Sequence, residues 1–345
     1  MISQVVTVYH KALHRFAVFT AFSTFLLIIA GGLVTSNNAG LSVPDWPNTY
    51  GTFMFSFPLA NMVGGIFYEH GHRMIASTVG FLTVVLAFWL WRREERQWVR
   101  HMGYAAVGAV IAQGVLGGLT VLFYLPTAIS VAHALLAQTF FCITLAIAYV
   151  TSREGLETPR TIDAGFPSLG RVAAVATGMV FVQLLLGAWM RHSEAGLAIP
   201  DVPLTYGSLF PPTTDAGLAA VNVMRFHLDL PPVSLGQIWI HFAHRLGAIA
   251  VAIFLARLAI RVFATSRSVS RLVKPAAALI ALLTVQLTLG ITTVLTLKDP
   301  LVATAHVATG ALMLGVVFII TVRAYRFAPA VQTAHGMAFV RGTTA

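Results

Sequence analysis

Apolar and polar positions along this chain are arranged in long blocks, without the short period of a helix or strand that buries one face. Eight apolar runs are each long enough, at roughly 20 residues, to cross a membrane as a helix whose backbone hydrogen bonds are all internal. The runs lie near residues 14–35, 72–91, 103–123, 128–150, 171–190, 239–260, 275–297 and 301–322. The pattern therefore predicts an all-α polytopic membrane protein with eight transmembrane helices.

Composition excludes a soluble globular protein. Hydrophobic residues make up 57% of the 345 residues and charged residues only 10%, whereas soluble domains carry roughly 25% charged residues. The single cysteine, Cys142, lies inside an apolar run, which excludes an internal disulfide, a cysteine-rich metal site and an iron–sulfur cluster. Because no small-residue cleavage site ends the first apolar run, we interpret it as a retained helix.

The net charge of +10 reflects membrane orientation. Lysines and arginines lie in short clusters between the apolar runs, so no nucleic-acid partner is predicted. Seventeen of the 22 fall on one side: Lys11, Arg15, Arg92, Arg93, Arg96, Arg100, Arg153, Arg160, Arg171, Arg257, Arg261, Arg267, Arg271, Lys274, Arg323, Arg326 and Arg341. The positive-inside rule therefore predicts a bacterial-type plasma-membrane protein, or an inner mitochondrial one in a eukaryote, with both termini in the cytoplasm.

The two halves of the chain repeat. AGLSVPDWPNTYG at 39–51 matches AGLAIPDVPLTYG at 195–207, and both segments lie in long outer loops, 36–71 and 191–238. Further on, AQGVLGGLTVL at 112–122 matches VQLTLGITTVL at 285–295. Four helices per unit make the copies parallel. We predict two parallel four-helix repeats in a pseudo-twofold bundle, divided into residues 1–155 and 156–345, with function on the outer side where the long loops lie.

Four histidines occupy equivalent positions of the two repeats, near the outer ends of their predicted helices: His72, His133, His244 and His306. An intramembrane histidine can be a core imidazole bonded to a neighbouring helix, but polar groups in spans are usually functional. Neutral imidazole binds metals and is a common axial ligand of haem iron. Two histidines from facing helices could hold one planar macrocycle, and each half supplies one such pair.

Neighbouring residues leave alternatives open at this stage. Zinc also binds histidine, though in a compact tetrahedral site, and Glu69-x-x-His72 is compatible with a carboxylate–histidine metal pair. Arg73 and Arg245, which directly follow two of the histidines, either clamp haem propionates or anchor the helices at the interface. Glycines such as Gly114, Gly117 and Gly118 admit a flat ring or simply pack helices. The two arginines favour haem.

The halves differ at one position. Glu69 lies one turn before His72 on the same helix face, whereas its counterpart in the second half is His241. A single carboxylate beside one of two metal-binding pairs suggests a general base or a group that stabilises a cationic intermediate. The alternative is an intrahelical ion pair between Glu69 and Arg73. The role of His241 stays undecided.

Several other polar residues have a simpler interpretation. Asp45 and Asp201 lie in the paired P-D-x-P segments, where we expect them to accept hydrogen bonds from following backbone amides. Histidines without a repeat partner are interpreted as interfacial or solvated: His10, His14, His70, His101, His192, His227 and His335.

Taken together, these motifs resemble the haem A synthase family, eight-helix membrane enzymes that supply haem A to cytochrome oxidases. The resemblance covers nearly the whole chain. It rests on E-H-G-H-R at 69–73, GLSVPDWP at 40–47, A-H-A at 132–134, A-H-R at 243–245 and A-H-V at 305–307. Some members carry a cysteine pair in an outer loop, and both long outer loops here lack cysteine, which excludes a thiol mechanism for this chain.

The resemblance implies haem O as the substrate, haem B as the resident cofactor, and oxidation of the C8 methyl group through an alcohol to a formyl group. His72 and His133 would flank the substrate haem beside Arg73, and Glu69 would assist the oxidation. His244 and His306 would be the axial ligands of haem B, beside Arg245. Electrons would pass to an acceptor outside the chain, the oxygen would come from water, and haem O synthase would be a partner.

Two other functions and the oligomeric state stay open. A bis-histidine di-haem membrane electron carrier needs the four histidines but not Glu69. A transporter also fits parallel repeats, although the polar residues here cluster near the outer face instead of the midplane. The lipid-facing surfaces can in addition hold contacts of a homo-oligomer.

Overall fold

A computed structural model describes residues 9–157, 161–163, 167–265, 269–325 and 327–329. In chain order its helices are α1 (Lys11–Ser36), α2 (Gly65–Arg93), α3 (Gln97–Leu122), α4 (Thr127–Val150), α5 (Arg153–Glu157), α6 (Leu169–His192), α7 (Asp215–Phe226), α8 (Leu235–Thr265), α9 (Ser270–Leu295) and α10 (Pro300–Ala324). Short 3₁₀ turns lie at Met54–Ser56, Leu59–Asn61 and Ala195–Leu197. Two three-residue strands, β1 (Thr161–Asp163) and β2 (Phe327–Pro329), pair in parallel.

The eight predicted spans are confirmed. All helices except α5 and α7 are long and apolar enough to cross a membrane, so the protein is an integral multi-pass membrane protein. The orientation of the termini stays a prediction. Five residues used in the sequence argument lie outside the described residues: Arg160, Arg267, Arg326, His335 and Arg341.

Helix packing follows the same order in both halves. In the first half α1 packs on α2, α2 on α3, α3 on α4, and α4 returns to α1. In the second half α6 packs on α8, α8 on α9, α9 on α10, and α10 returns to α6. The halves meet where α1 and α4 contact α10 and where α4 contacts α6. The pseudo-twofold axis and the division after residue 155 stay predictions.

The second outer loop contains a helix that the apolar pattern did not predict. Helix α7 has only 12 residues, too few for a span of roughly 20, and the Thr214 side chain caps it by accepting from the Gly217 N–H at 3.2 Å. Its Arg225 is only 1% exposed. The Arg225 guanidinium donates to the carbonyls of Leu197 and Pro231, each at 2.8 Å, so α7 lies closed against the loop that carries the second P-D-x-P segment.

The paired P-D-x-P segments form the same turn twice. The Asp45 carboxylate accepts from the backbone N–H groups of Tyr50 and Gly51, both at 2.8 Å, and Asp201 accepts in the same way from Tyr206 and Gly207. Burial acts to raise the pKa of Asp45, but the two backbone N–H bonds outweigh it and hold the pKa below its ordinary value. The turn-forming interpretation of both aspartates is confirmed.

Glu94 lies where the ends of α2, α3 and α4 meet, on the side opposite the long loops, and gives the fold a pH-dependent contact. Its carboxylate accepts from Arg96 Nε and Nη2, each at 2.8 Å, and Arg96 Nη2 also donates to the Val150 carbonyl at 2.9 Å. Burial acts to raise the pKa of Glu94, but the Arg96 hydrogen bonds and charge lower it more, so the pKa lies below its ordinary value.

We expect Glu94→Gln to lower the free energy of unfolding by about 2 kcal/mol at neutral pH, since a buried charge-assisted bond is lost. A carboxyl with a lowered folded-state pKa stabilises the fold above its unfolded-state pKa, and that contribution is lost as pH falls through the folded-state value. Thermal unfolding in detergent should therefore show the two proteins converging below about pH 4. Glu95→Gln, which changes the exposed neighbour, is the matched control, and an unchanged Glu94→Gln protein at pH 7 would contradict the assignment.

Candidate functional site

The four repeat-related histidines lie at one end of the bundle. His72 is in α2, His133 in α4, His244 in α8 and His306 in α10, each within the first three turns of its helix. Each of these helices begins directly after a loop of the predicted outer side. The structure therefore brings all four to the same membrane face, as the sequence predicts.

Every one of these imidazoles packs against a glycine of a neighbouring membrane helix. A Cβ built on that glycine would lie 3.0 to 3.1 Å from the imidazole Cε1. The pairs are Gly31 with His72, Gly117 with His133, Gly187 with His244 and Gly290 with His306. Only a residue without a side chain leaves the ring this much room. Gly117 thus serves a ring, whereas Gly118 instead accommodates the Trp46 indole, and Gly114 has no neighbour within 4 Å.

The histidines form two pairs. The ring centroids of His244 and His306 are 6.5 Å apart, with their planes at 71°. Two imidazoles that bind one metal ion with bonds of about 2 Å place their centroids about 6 Å apart, so the separation of this pair is compatible with a shared metal ion. In the first half, His133 lies close enough to His72 to interact with it electrostatically.

The chemistry of the donors favours haem over zinc. The imidazoles of His72, His133 and His306 are buried, and their Nδ1 atoms have no side-chain hydrogen-bond partner, so these rings are not explained as ordinary hydrogen-bonded core histidines. A tetrahedral zinc site needs more ligands than one histidine pair supplies. Within the described ranges, no group of three or more His, Cys, Asp or Glu side chains is arranged to hold a metal ion.

Glu69 and His241 occupy equivalent places in the two halves. Glu69 is 4% exposed, and its Oε2 accepts from the Val43 N–H at 2.8 Å. His241 Nδ1 accepts from the N–H of Ile199, the repeat counterpart of Val43, at 3.2 Å. In each half the side chain ties the preceding long loop to the helix that carries a candidate ligand histidine. One half does so with a carboxylate and the other with an imidazole.

The ion pair between Glu69 and Arg73 is present. Glu69 Oε1 accepts from Arg73 Nη2 at 2.7 Å. Arg73 Nη2 also donates to the Val43 carbonyl at 2.9 Å, and Nη1 donates to the carbonyls of Asp45 and Asn48. Only Nε–H of its five N–H groups then has no partner among these contacts. Arg73 therefore holds the first outer loop against α2.

Arg245 makes fewer contacts with its own loop. Its Nη2 donates to the Ile199 carbonyl at 2.9 Å and its Nη1 to the Leu204 carbonyl at 3.0 Å, the counterparts of Val43 and Asn48. His241 stands in the place of Glu69, so Arg245 forms no ion pair with a carboxylate of its own helix in the described part of the chain, although the charge of Asp201 in the loop acts on it. Arg245 thus keeps N–H groups on both terminal nitrogens for a further acceptor.

Three glutamines at the site were missed by the sequence argument. Gln113, Gln183 and Gln286 each contact the imidazole of a ligand candidate, respectively His133, His244 and His306. A signal was present, since Gln113 and Gln286 occupy matching places in the repeat AQGVLGG and VQLTLGI. Each glutamine lies one helical turn before the glycine that supports the same ring.

His70 corrects one expectation. The sequence predicts an interfacial or solvated histidine, whereas His70 is 2% exposed and its Nδ1 lies 3.0 Å from the Thr49 hydroxyl. The Phe57 ring packs on it at a centroid distance of 5.1 Å. Because the first outer loop folds back over the start of α2, it shields this imidazole from solvent.

Comparison with known proteins identifies the family to which this chain belongs. The sequence profile of COX15-CtaA, described as cytochrome oxidase assembly protein, matches residues 53–318. The chain belongs to this family. The matched region of the cytochrome oxidase assembly family contains Glu69, all four repeat-related histidines and the arginines that follow two of them.

Individual relatives carry one name. A heme A synthase from Alkalihalophilus pseudofirmus is 29% identical over 207 residues, 59% of this chain and 67% of the relative. A heme A synthase from Shewanella oneidensis is 28% identical over 319 residues, 86% of this chain and 91% of the relative. Another, from Rhizorhabdus wittichii, is 27% identical over 333 residues, 88% and 91% of the two chains. The similarity to the latter two extends across both halves.

Proposed function

We propose that this protein is a membrane haem A synthase, which oxidises the C8 methyl group of haem O to the formyl group of haem A for cytochrome oxidase assembly. Membership of the cytochrome oxidase assembly family and relatives named heme A synthase support this reaction. The observation that carries the proposal is the difference between two otherwise matched sites, Glu69 in one and His241 in the other. A symmetric electron carrier has no use for that difference.

The reaction determines what the first half must do. Converting the methyl to a formyl group consumes one water and releases four protons and four electrons, and the electrons leave to an acceptor outside this chain. His72 and His133 hold the substrate between them. The Glu69 carboxylate stabilises the cationic centre left when electrons leave the methyl group, and it accepts a released proton on one of its oxygens.

The second half serves as the resident site. His244 and His306, whose ring centroids lie 6.5 Å apart, would hold haem B, which would supply a one-electron redox centre there. Arg245 uses its remaining N–H groups for a propionate. Arg73, with a single uncommitted N–H, reaches a propionate of the substrate haem through Nε while it fixes the loop beside that site.

The proposal also includes the source of the substrate, the orientation in the membrane and the oligomeric state. Haem O synthase supplies the substrate within the bilayer, and both termini lie in the cytoplasm, on the side where the lysines and arginines cluster. The four histidines then face the outer side. A homo-oligomer through the lipid-facing helices is compatible with this arrangement.

A complementation experiment tests the function in cells. A bacterium that lacks its own haem A synthase but makes haem O should regain cytochrome oxidase with its haem A absorbance when this chain is supplied. The chain carrying Glu69→Gln serves as the comparison. If the unmodified chain inserts into the membrane and binds haem, yet restores no haem A, the result would instead support the di-haem electron carrier.

The glycine behind each ring gives a matched test of the haem sites. In Gly187→Ala the added Cβ would lie 3.0 Å from His244 Cε1, so the ring must shift by a few tenths of an ångström, whereas Gly178 on the same helix has no neighbour within 4 Å. Displacing a ligand's support lowers metal affinity by about 10- to 100-fold. Optical titration should show this loss of haem affinity in Gly187→Ala and not in Gly178→Ala. Equal affinity in both variants would contradict the ligand assignment.

A further inference from the structure

Three of the four histidines are contacted by a glutamine from a neighbouring helix, and His72 is not. In α3, α6 and α9 a glutamine lies four residues before the glycine that supports the ring, in the segments QGVLG, QLLLG and QLTLG. The corresponding segment of α1 is LIIAG at 27–31, with Leu27 in place of glutamine. Leu27 and Gly31 lie one turn apart on the same face of α1.

The contacts of the glutamines are of two kinds. Gln183 Nε2 donates to the His244 carbonyl at 2.8 Å and lies 3.1 Å from His244 Nδ1. Gln113 Nε2 donates to the His133 carbonyl at 3.0 Å and lies 3.4 Å from His133 Nε2. The bond to the carbonyl fixes the ligand residue against the neighbouring helix, and the amide beside the ring limits rotation of the imidazole.

In the second half both candidate ligand histidines have a glutamine amide beside the imidazole ring. Gln286 Nε2 lies 3.4 Å from His306 Nε2, so both His244 and His306 have a glutamine at the ring edge. In the first half only His133 has one. Among the described residues no side chain forms a hydrogen bond to the His72 imidazole; its buried Nδ1 has no side-chain partner, as in His133 and His306, but His72 also has no glutamine beside the ring. Gly31 and packing alone position it.

We propose that Gln113, Gln183 and Gln286 are positioning residues that make three histidines permanent iron ligands, and that Leu27 leaves His72 as the ligand that releases iron. The proposal rests on the proposed function, because only an enzyme that exchanges its haem substrate for product needs one labile ligand. Residues that orient a metal-binding histidine change metal affinity by about 10- to 100-fold. Two held ligands retain the resident haem, while one held and one labile ligand let the first-half haem leave.

Carbon monoxide is the probe, since it binds ferrous haem iron only where an axial ligand departs. The protein is loaded with haem B at both sites, reduced, and mixed with carbon monoxide. We expect one reactive haem per chain in the unmodified protein. Leu27→Gln, which adds the missing amide, should slow its reaction about tenfold, and Leu27→Met, which adds none, should not. Equal rates in the two variants, or two equally reactive haems in the unmodified protein, would overturn the proposal.

The reverse substitution, which removes a glutamine from the second half, tests the same proposal if the Leu27→Gln protein does not fold. Gln183→Leu installs the α1 arrangement in the second half and should make the second haem reactive, with a rate about tenfold higher than in the unmodified protein. A second haem that stays unreactive would overturn the proposal. Haem identity is measured on the same samples. An unmodified protein that shows the expected carbon monoxide pattern but makes no haem A would refute the enzyme and leave the ligand assignment standing.

Discussion

His244→Ala and His306→Ala should each remove the resident haem from the purified protein, whereas His72→Ala should spare it and abolish haem A formation. The reason is that an axial imidazole supplies the bond that retains the iron, and its loss costs more than the about 10- to 100-fold effect of changing a supporting residue. Optical spectra and haem content of the purified variants, with chromatography of the product, measure both effects.

The control for these variants is His101→Ala, because this exposed histidine has no repeat partner. It should keep both the haem content and the product. If the His244→Ala protein keeps its haem and the His72→Ala protein loses it, the assignment of the two halves is reversed. Haem retained in all three ligand variants would remove the histidines from the site altogether.

Glu69→Gln should bind both haems and form haem A about 10²- to 10⁴-fold more slowly, the range expected when a general base or charge-stabilising carboxylate is lost. Glutamine has nearly the same size and still accepts from the Val43 N–H through its carbonyl oxygen, so the loop stays in place. Comparing initial rates of haem A formation at equal haem occupancy isolates the chemical step.

His241→Gln is the matched control for Glu69→Gln, because it changes the same position in the other half and keeps an acceptor for the Ile199 N–H. It should leave haem A formation nearly unchanged. Unchanged haem A formation in Glu69→Gln would restrict Glu69 to its ion pair with Arg73. A loss of haem binding in that variant would show that the carboxylate holds the loop instead of acting on the substrate.

The transmembrane architecture could be predicted because span length and apolarity are set by the bilayer, independently of any neighbour. The four candidate ligand histidines could be singled out because the chain contains each position twice, so that His72 is compared with His244 and His133 with His306, and the structure places all four at one end of the bundle. Helix α7 could not be predicted, since it is amphipathic and shorter than a span, and its Arg225 finds its acceptors only once the loop is folded.

The residues that surround the four histidines could not be predicted from the sequence, for a different reason. Gln113, Gln183 and Gln286 lie on helices other than those of their histidines, so their contacts depend on helix packing. For Arg73 the sequence leaves a propionate clamp and a helix anchor open, and in the structure its contacts go to Glu69 and to loop carbonyls. Which acceptor a guanidinium reaches depends on backbone geometry that one sequence does not specify.

The most direct test of the enzyme is to identify the haems extracted from this protein after purification from cells that co-produce haem O synthase. Chromatography with mass detection should find haem A or its hydroxymethyl precursor when Glu69 is intact, and haem O with haem B when Glu69 is replaced by glutamine. Haem B alone, at two per chain and independent of the haem O supply, would contradict the account and identify an electron carrier.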